Sequence, residues 1–93
     1  MKIIQSRSFK NKIKQFKRQE KELLDNQIRI IINNPAIGDK KRGELRDIYV
    51  HKFKIKNTQY LLSYRFNNKV LELIMIGPHE NYYRDLKTLM KSQ

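Results

Sequence analysis

The stretch HKFKIKNTQYLLSYRFNNKVLELIMIGPHENYYRDL, residues 51–86, decides the fold. With the two residues before it, its first part alternates: Tyr49, His51, Phe53 and Ile55 fall on one side, and Val50, Lys52, Lys54 and Lys56 on the other. That period of two marks a strand with an aromatic face and a comb of lysines. Asn57 and Thr58 turn the chain into a second strand, Tyr60 to Phe66, and Asn67 with Asn68 forms a short hairpin loop into a third, Val70 to Ile76. These last two strands are the most apolar and are expected to form the central pair. Gly77 and Pro78 end the meander, and Asn81 is placed to cap a C-terminal helix carrying Tyr82, Tyr83, Leu86, Leu89 and Met90.

Upstream, Pro35 to Asp47 is turn-rich, with Pro35, Gly38, Asp39 and Gly43 as punctuation and Leu45 as the apolar residue able to pin it. Before that, Ile3 and Ile4 begin a short extended segment, and Ser8 is placed to cap a helix in which Phe9, Ile13 and Phe16 recur at helical spacing. The opposite side of this helix carries Lys10, Lys14, Lys17 and Arg18. A bend or break is expected near Gln19 to Glu22, after which Leu23, Leu24, Ile28 and Ile31 continue the pattern up to Asn33 and Asn34, ahead of Pro35. The order is β, α, α, a β-meander, then a short helix. It predicts an α+β domain in which two N-terminal helices pack on one face of a twisted antiparallel sheet. The other face is expected to be concave and partly wet, with room for the lysine comb.

With 93 residues and 39% hydrophobic content, the chain has material for one core, so residues 1–93 are read as a single domain. Seven basic residues precede the first acid, Glu20, and the whole chain has 21 basic and 9 acidic residues, a formal charge of +12. A field this one-sided is costly unless a polyanion shares it, which points to nucleic acid, a ribosome or an acidic protein as partner. There is no cysteine, so disulfides, thiol catalysis and cysteine-based zinc sites are excluded. No segment approaches 18 uninterrupted apolar residues, and the N-terminus lacks the apolar run of a signal peptide. The expectation is a soluble cytoplasmic protein with no membrane partner, in preference to a basic first helix lying on an anionic bilayer.

His51 and His79 lack the spacing and carboxylate company of a metal site, and Gly38, Gly43 and Gly77 are too dispersed for a phosphate loop. Neither a metal nor a cofactor is expected. What the residues do allow is phosphoryl transfer within RNA, in which a 2′-hydroxyl attacks the adjacent phosphate. That reaction asks for a base, cations around the phosphorus oxygens, an acid for the leaving 5′-oxygen and a surface that holds the bases. His79 is the candidate acid or base, set against the plainer reading that it merely completes the mouth of the C-terminal helix. Lys52 and Lys54 point the same way from one strand, and Arg65 on the adjoining strand is a candidate third cation. Lys56 and Arg46 are further candidate substrate-binding residues. Tyr82 or Tyr83 is a candidate for stacking on a base, the other being needed for packing. His51 shares its side with Phe53 and Ile55, which favours a structural role.

The run KRGELRD, residues 41–47, followed by HKFKIKNTQYLLSYRF and NNKVLELIMIGPHENYYRDL, resembles the RelE/ParE superfamily of bacterial toxins from type II toxin–antitoxin modules. The resemblance spans nearly the whole chain in element order and is most specific from Gly43 to Leu86. It implies two helices on a twisted antiparallel sheet, a basic groove, and a cognate antitoxin that wraps the toxin with a helix or an extended segment, any operator DNA being bound only through that antitoxin. RelE-like members cleave messenger RNA in the ribosomal A site, whereas ParE-like members poison DNA gyrase and cleave nothing. By similarity, Lys52 and Lys54 fall on the cation positions of the RelE-type strand, His79 where such enzymes place an arginine or histidine, and Tyr82 or Tyr83 near the tyrosine that closes the site. The pattern is broken after Tyr60, where many members have arginine and this chain has Leu61. The tyrosines also come slightly early after the glycine. The resemblance thus implies an mRNA endoribonuclease. The alternatives are a gyrase inhibitor and a non-catalytic or degenerate RNA- or protein-binding member.

Overall fold

Ser6 starts the first helix in the computed structural model of the chain, which describes residues 1–91. Strand β1 (Lys2–Gln5) leads through it into α1 (Arg7–Ile13). The Ser6 hydroxyl accepts from Phe9 N–H at 3.0 Å and donates to the Ile74 carbonyl, so one side chain caps the helix and ties it to the sheet. Ser8 was the expected cap, but Arg7 is already helical and a cap must stand before the first turn. The chain then breaks at Lys14–Lys17 and resumes as α2 (Arg18–Asn33), a few residues earlier than the spacing predicts. Glu20 explains the earlier start. Its carboxylate lies in the opening turn of α2 and accepts from Lys17 N–H at 2.7 Å, where the helix dipole favours negative charge.

The sheet has five strands in the order β1-β5-β4-β3-β2, where β2 is Asp39–Lys40, β3 Tyr49–Ile55, β4 Thr58–Phe66 and β5 Val70–Pro78. The expected antiparallel meander is its body, and β4 lies at the centre. Asn67 closes the β4–β5 hairpin, its Oδ1 accepting from the amides of Lys69 at 2.9 Å and Val70 at 3.0 Å. Two edge strands flank it: the first was expected as an extended segment but not in its parallel pairing, and the second was not anticipated. One is β1, which runs parallel to β5 with Lys2 opposite Val70 and Gln5 opposite Leu73. The other is β2, which pairs its two residues with Tyr49 and Val50 and is too short to show any periodicity in sequence.

A bulge lies between Ser63 and Tyr64: these pair with Met75 and Leu73, leaving Ile74 as the extra residue. It redirects β5 so that Leu71, Leu73 and Ile76 join Phe9, Phe16, Leu24, Ile31 and Tyr64 under the N-terminal helices, while Ile74 faces the opposite way. That second face, expected to be concave and partly wet, is covered in part. The final helix, α3 (Tyr82–Lys91), lies across it, and Tyr82 and Leu86 pack with Leu45, Ile48, Val50, Leu61 and Ile74 into a second core. Pairs such as Leu61 and Leu62, one in each core, show why β4 reads as uniformly apolar: it is covered on both sides.

Candidate functional site

Three of the residues nominated from sequence lie at one end of the sheet. Lys52 pairs with Leu61, which pairs with Gly77; Lys54 pairs with Gln59; Phe53 pairs with Tyr60, which pairs with Pro78. His79 follows Pro78 directly, so it leaves the sheet level with the two lysines and two strands away, about 10 Å at ordinary strand spacing. Alternation sets Lys52 and Lys54 on the face of Val50 and Leu61, beside the ground covered by α3, and all three groups are exposed. Lys56 stands in the two-residue loop between β3 and β4, at the same end, with φ of 56°. Arg46 is exposed and precedes β3, at the far end of that strand from Lys54.

The start of α3 organises His79. Tyr82 N–H donates to the His79 carbonyl at 3.2 Å, and the imidazole meets the Tyr83 ring edge-on, with centroids 6.4 Å apart and planes at 85°. The two tyrosines have separate tasks. Tyr82 is only 1% exposed, its hydroxyl donates to the Met75 carbonyl at 2.7 Å and lies 2.9 Å from Ser63 Oγ, and its ring rests on Gly77. Burial holds the Tyr82 hydroxyl well above the usual tyrosine range. Tyr83 is half-buried and stands edge-on to Tyr82 with centroids 5.8 Å apart. Of the two, Tyr83 is the one that faces the His79 end.

Arg65 is not brought to this cluster. It lies four residues beyond Leu61 on β4, about 13 Å along the strand, and its Nε is 2.5 Å from Glu72 Oε1 on β5. The pair lines a cleft of about 390 Å³ with Lys40, Asp47 and Tyr49. A larger cleft, about 740 Å³, runs between α1 and α3 past Met75 and Pro78. Neither cleft is lined by Lys52, Lys54 or His79. Their cluster is open surface, suited to a large ligand held in place by something else. His51 lies on the helix-covered face, its Nε2 2.7 Å from Gln27 Oε1 and its ring stacked on Phe53, and burial lowers its pKa.

A cation at the Tyr83 ring escaped the sequence reading. Lys41 Nζ sits over the Tyr83 ring, 4.9 Å from its centroid. In the run of basic residues at 40–42 nothing marks Lys41 out, and its contact depends on the 41–48 loop folding over the second face. Among the described residues, no group of three or more His, Cys, Asp and Glu could hold a metal ion, and no helix is long and apolar enough to cross a membrane.

Two helices under a meander, a third helix across its far face and a basic strand end beside it make up the architecture of the RelE/ParE class. The chain belongs to the ParE-like toxins of type II bacterial toxin–antitoxin systems, whose family model matches residues 3–87. Among solved structures it is similar to a double mutant of E. coli RelE in the free state, with TM-score 0.71 and 17% identity over 99% of this chain and 97% of that one. A chain of the intact E. coli RelBE toxin–antitoxin complex gives TM-score 0.67 and 20% identity over 85% of this chain and 96% of that one. Isolated E. coli RelE gives 0.64 and 19% over 95% and 97%. At these identities the likeness establishes the fold. No curated protein matches the chain.

Proposed function

We propose that the protein is a ribosome-dependent mRNA endoribonuclease, restrained by a cognate antitoxin. The observation that carries this reading is the alignment of Lys52, Lys54 and His79 at one exposed end of the sheet. In the proposed step a 2′-hydroxyl oxygen bonds to the adjacent phosphorus as the P–O5′ bond breaks, leaving a 2′,3′-cyclic phosphate and a 5′-hydroxyl. A base takes the 2′ proton and an acid supplies one to the 5′-oxygen, and His79 serves as one of the two. Lys52 and Lys54 offset the charge that builds on the non-bridging oxygens. Tyr83 is the tyrosine placed to meet a base. The open surface supports dependence on the ribosome, because nothing on the toxin itself encloses a codon.

A second reading, inhibition of DNA gyrase without cleavage, is favoured by the ParE-like family match; Leu61, fully buried where many RelE-type members carry an arginine, counts against cleavage without pointing to gyrase. Two assays separate the readings. Primer extension on messenger RNA from a translating extract should reveal new ends within the A-site codon, and plasmid supercoiling by gyrase should be unaffected. Trapped gyrase–DNA breaks with intact messenger RNA would reverse the assignment. Silence in both from folded protein would leave a non-catalytic binding member.

A further inference from the structure

We infer that Lys41 is a further phosphate-contacting residue of this site, held at the Tyr83 ring and supplying the third cation that Arg65 does not. The inference rests on the RNA-cleavage reading for its substrate and on separate geometry for its residue. Three observations carry it. The side chain is partly buried, with its ammonium over an aromatic ring, yet among the described residues no carboxylate pairs with it. The backbone that bears it is fixed: Lys41 N–H donates to the Ile48 carbonyl at 2.8 Å, and Leu45 and Ile48 are buried against Tyr82 and Leu86. The ring beneath it is the one that meets His79.

A cation–π contact of this kind directs an ammonium without neutralising it, so the charge stays available to an anion. Arg65 is in the opposite condition, since Glu72 already occupies its guanidinium. The Tyr83 ring is thus shared, meeting the His79 imidazole edge-on and carrying the Lys41 ammonium, while Lys52 and Lys54 lie two strands from where His79 leaves the sheet. A nucleotide stacked near Tyr83 would therefore have one of its phosphates within reach of Lys41.

The test uses the full chain and a short single-stranded RNA made uncleavable by 2′-O-methylation. Its affinity is measured from low to moderate KCl for the parent, Lys41→Met and Lys41→Arg, beside cleavage in a translating extract. Removing one phosphate contact should lower the slope of log affinity against log salt by about 0.7. Lys41→Met is expected to show that drop and to reduce cleavage roughly tenfold or more, and Lys41→Arg to restore both. Melting temperatures within a few degrees of the parent would set aside a folding defect. An unchanged slope in Lys41→Met overturns the inference, and so does absence of RNA binding by the parent. If the slope falls while even the parent leaves messenger RNA intact, Lys41 stands as an anion contact and the cleavage reading fails.

Discussion

Arg65 and Glu72 face each other across β4 and β5, with Nε and Oε1 2.5 Å apart, in a pairing that commits the arginine to the sheet. The guanidinium keeps 42% of its side-chain surface exposed, but its charge is matched locally and lies about 13 Å from the lysine end. Arg65→Ala is therefore expected to leave RNA cleavage within about threefold of the parent and to lower stability by up to about 1 kcal/mol. Parallel cleavage and urea-melt measurements check this. A loss of cleavage as deep as that of a lysine variant at position 52 would return Arg65 to the site.

The division of labour between the tyrosines gives a second prediction. Tyr82→Phe removes a donor from the Met75 carbonyl and a neighbour from Ser63 Oγ in a buried setting, and should cost about 1–3 kcal/mol. Tyr83→Leu should alter stability far less, yet weaken RNA binding through the lost stacking surface and the lost seat for Lys41. Denaturant unfolding and oligonucleotide binding on both variants distinguish the two roles.

Gly38 answers to Tyr64. The Tyr64 hydroxyl donates to the Pro35 carbonyl at 2.6 Å and accepts from Gly38 N–H at 3.0 Å, which fixes the loop between α2 and β2 to the central strand. A Cβ at position 38 would stand 2.8 Å from that oxygen and 3.1 Å from the Val50 carbonyl group. Gly38→Ala should destabilise by about 1–3 kcal/mol, read from chemical denaturation, and Tyr64→Phe by about 1 kcal/mol. Equal stability of Gly38→Ala and the parent would contradict the contact.

Alkaline pH should unfold the protein in a defined window. Burial raises the pKa of both Tyr82 and Tyr64, so the folded state holds their protons where the unfolded chain releases them. Their stabilisation is complete below the ordinary tyrosine pKa of about 10 and declines as pH rises above it. For His51 the sign is opposite: burial lowers its pKa, so that contribution is complete above about 6.5 and declines as pH falls below it. Stability measured across pH should sag on both sides, and Tyr82→Phe should flatten the alkaline limb.

Much of this architecture was legible because it rests on local pattern. Alternation in β3 placed Lys52 and Lys54 on one face, and the Asn67 turn and the Phe9–Phe16 stripe were readable from turn chemistry and spacing. What escaped depends on contacts distant in sequence. A strand covered on both sides, such as β4, shows no alternation, so the second core and the docking of α3 over Leu61 and Ile74 could not be read from it. Arg65 was grouped with the lysines because it lies on the adjoining strand. Only the register and the presence of Glu72 on β5 show how far it stands from them. Lys41 lies among like residues, and only the fold brings it to Tyr83.

In the proposed function His79 acts chemically on RNA held at the Lys52–Lys54 end. Its most direct test is single-turnover cleavage of the A-site codon in purified ribosome–mRNA complexes by the parent and by His79→Ala, with ribosome binding measured on the same samples. The expected result is a loss of about 100-fold or more in cleavage rate with binding changed by no more than a few-fold. Cleavage at the parent rate by His79→Ala would contradict it.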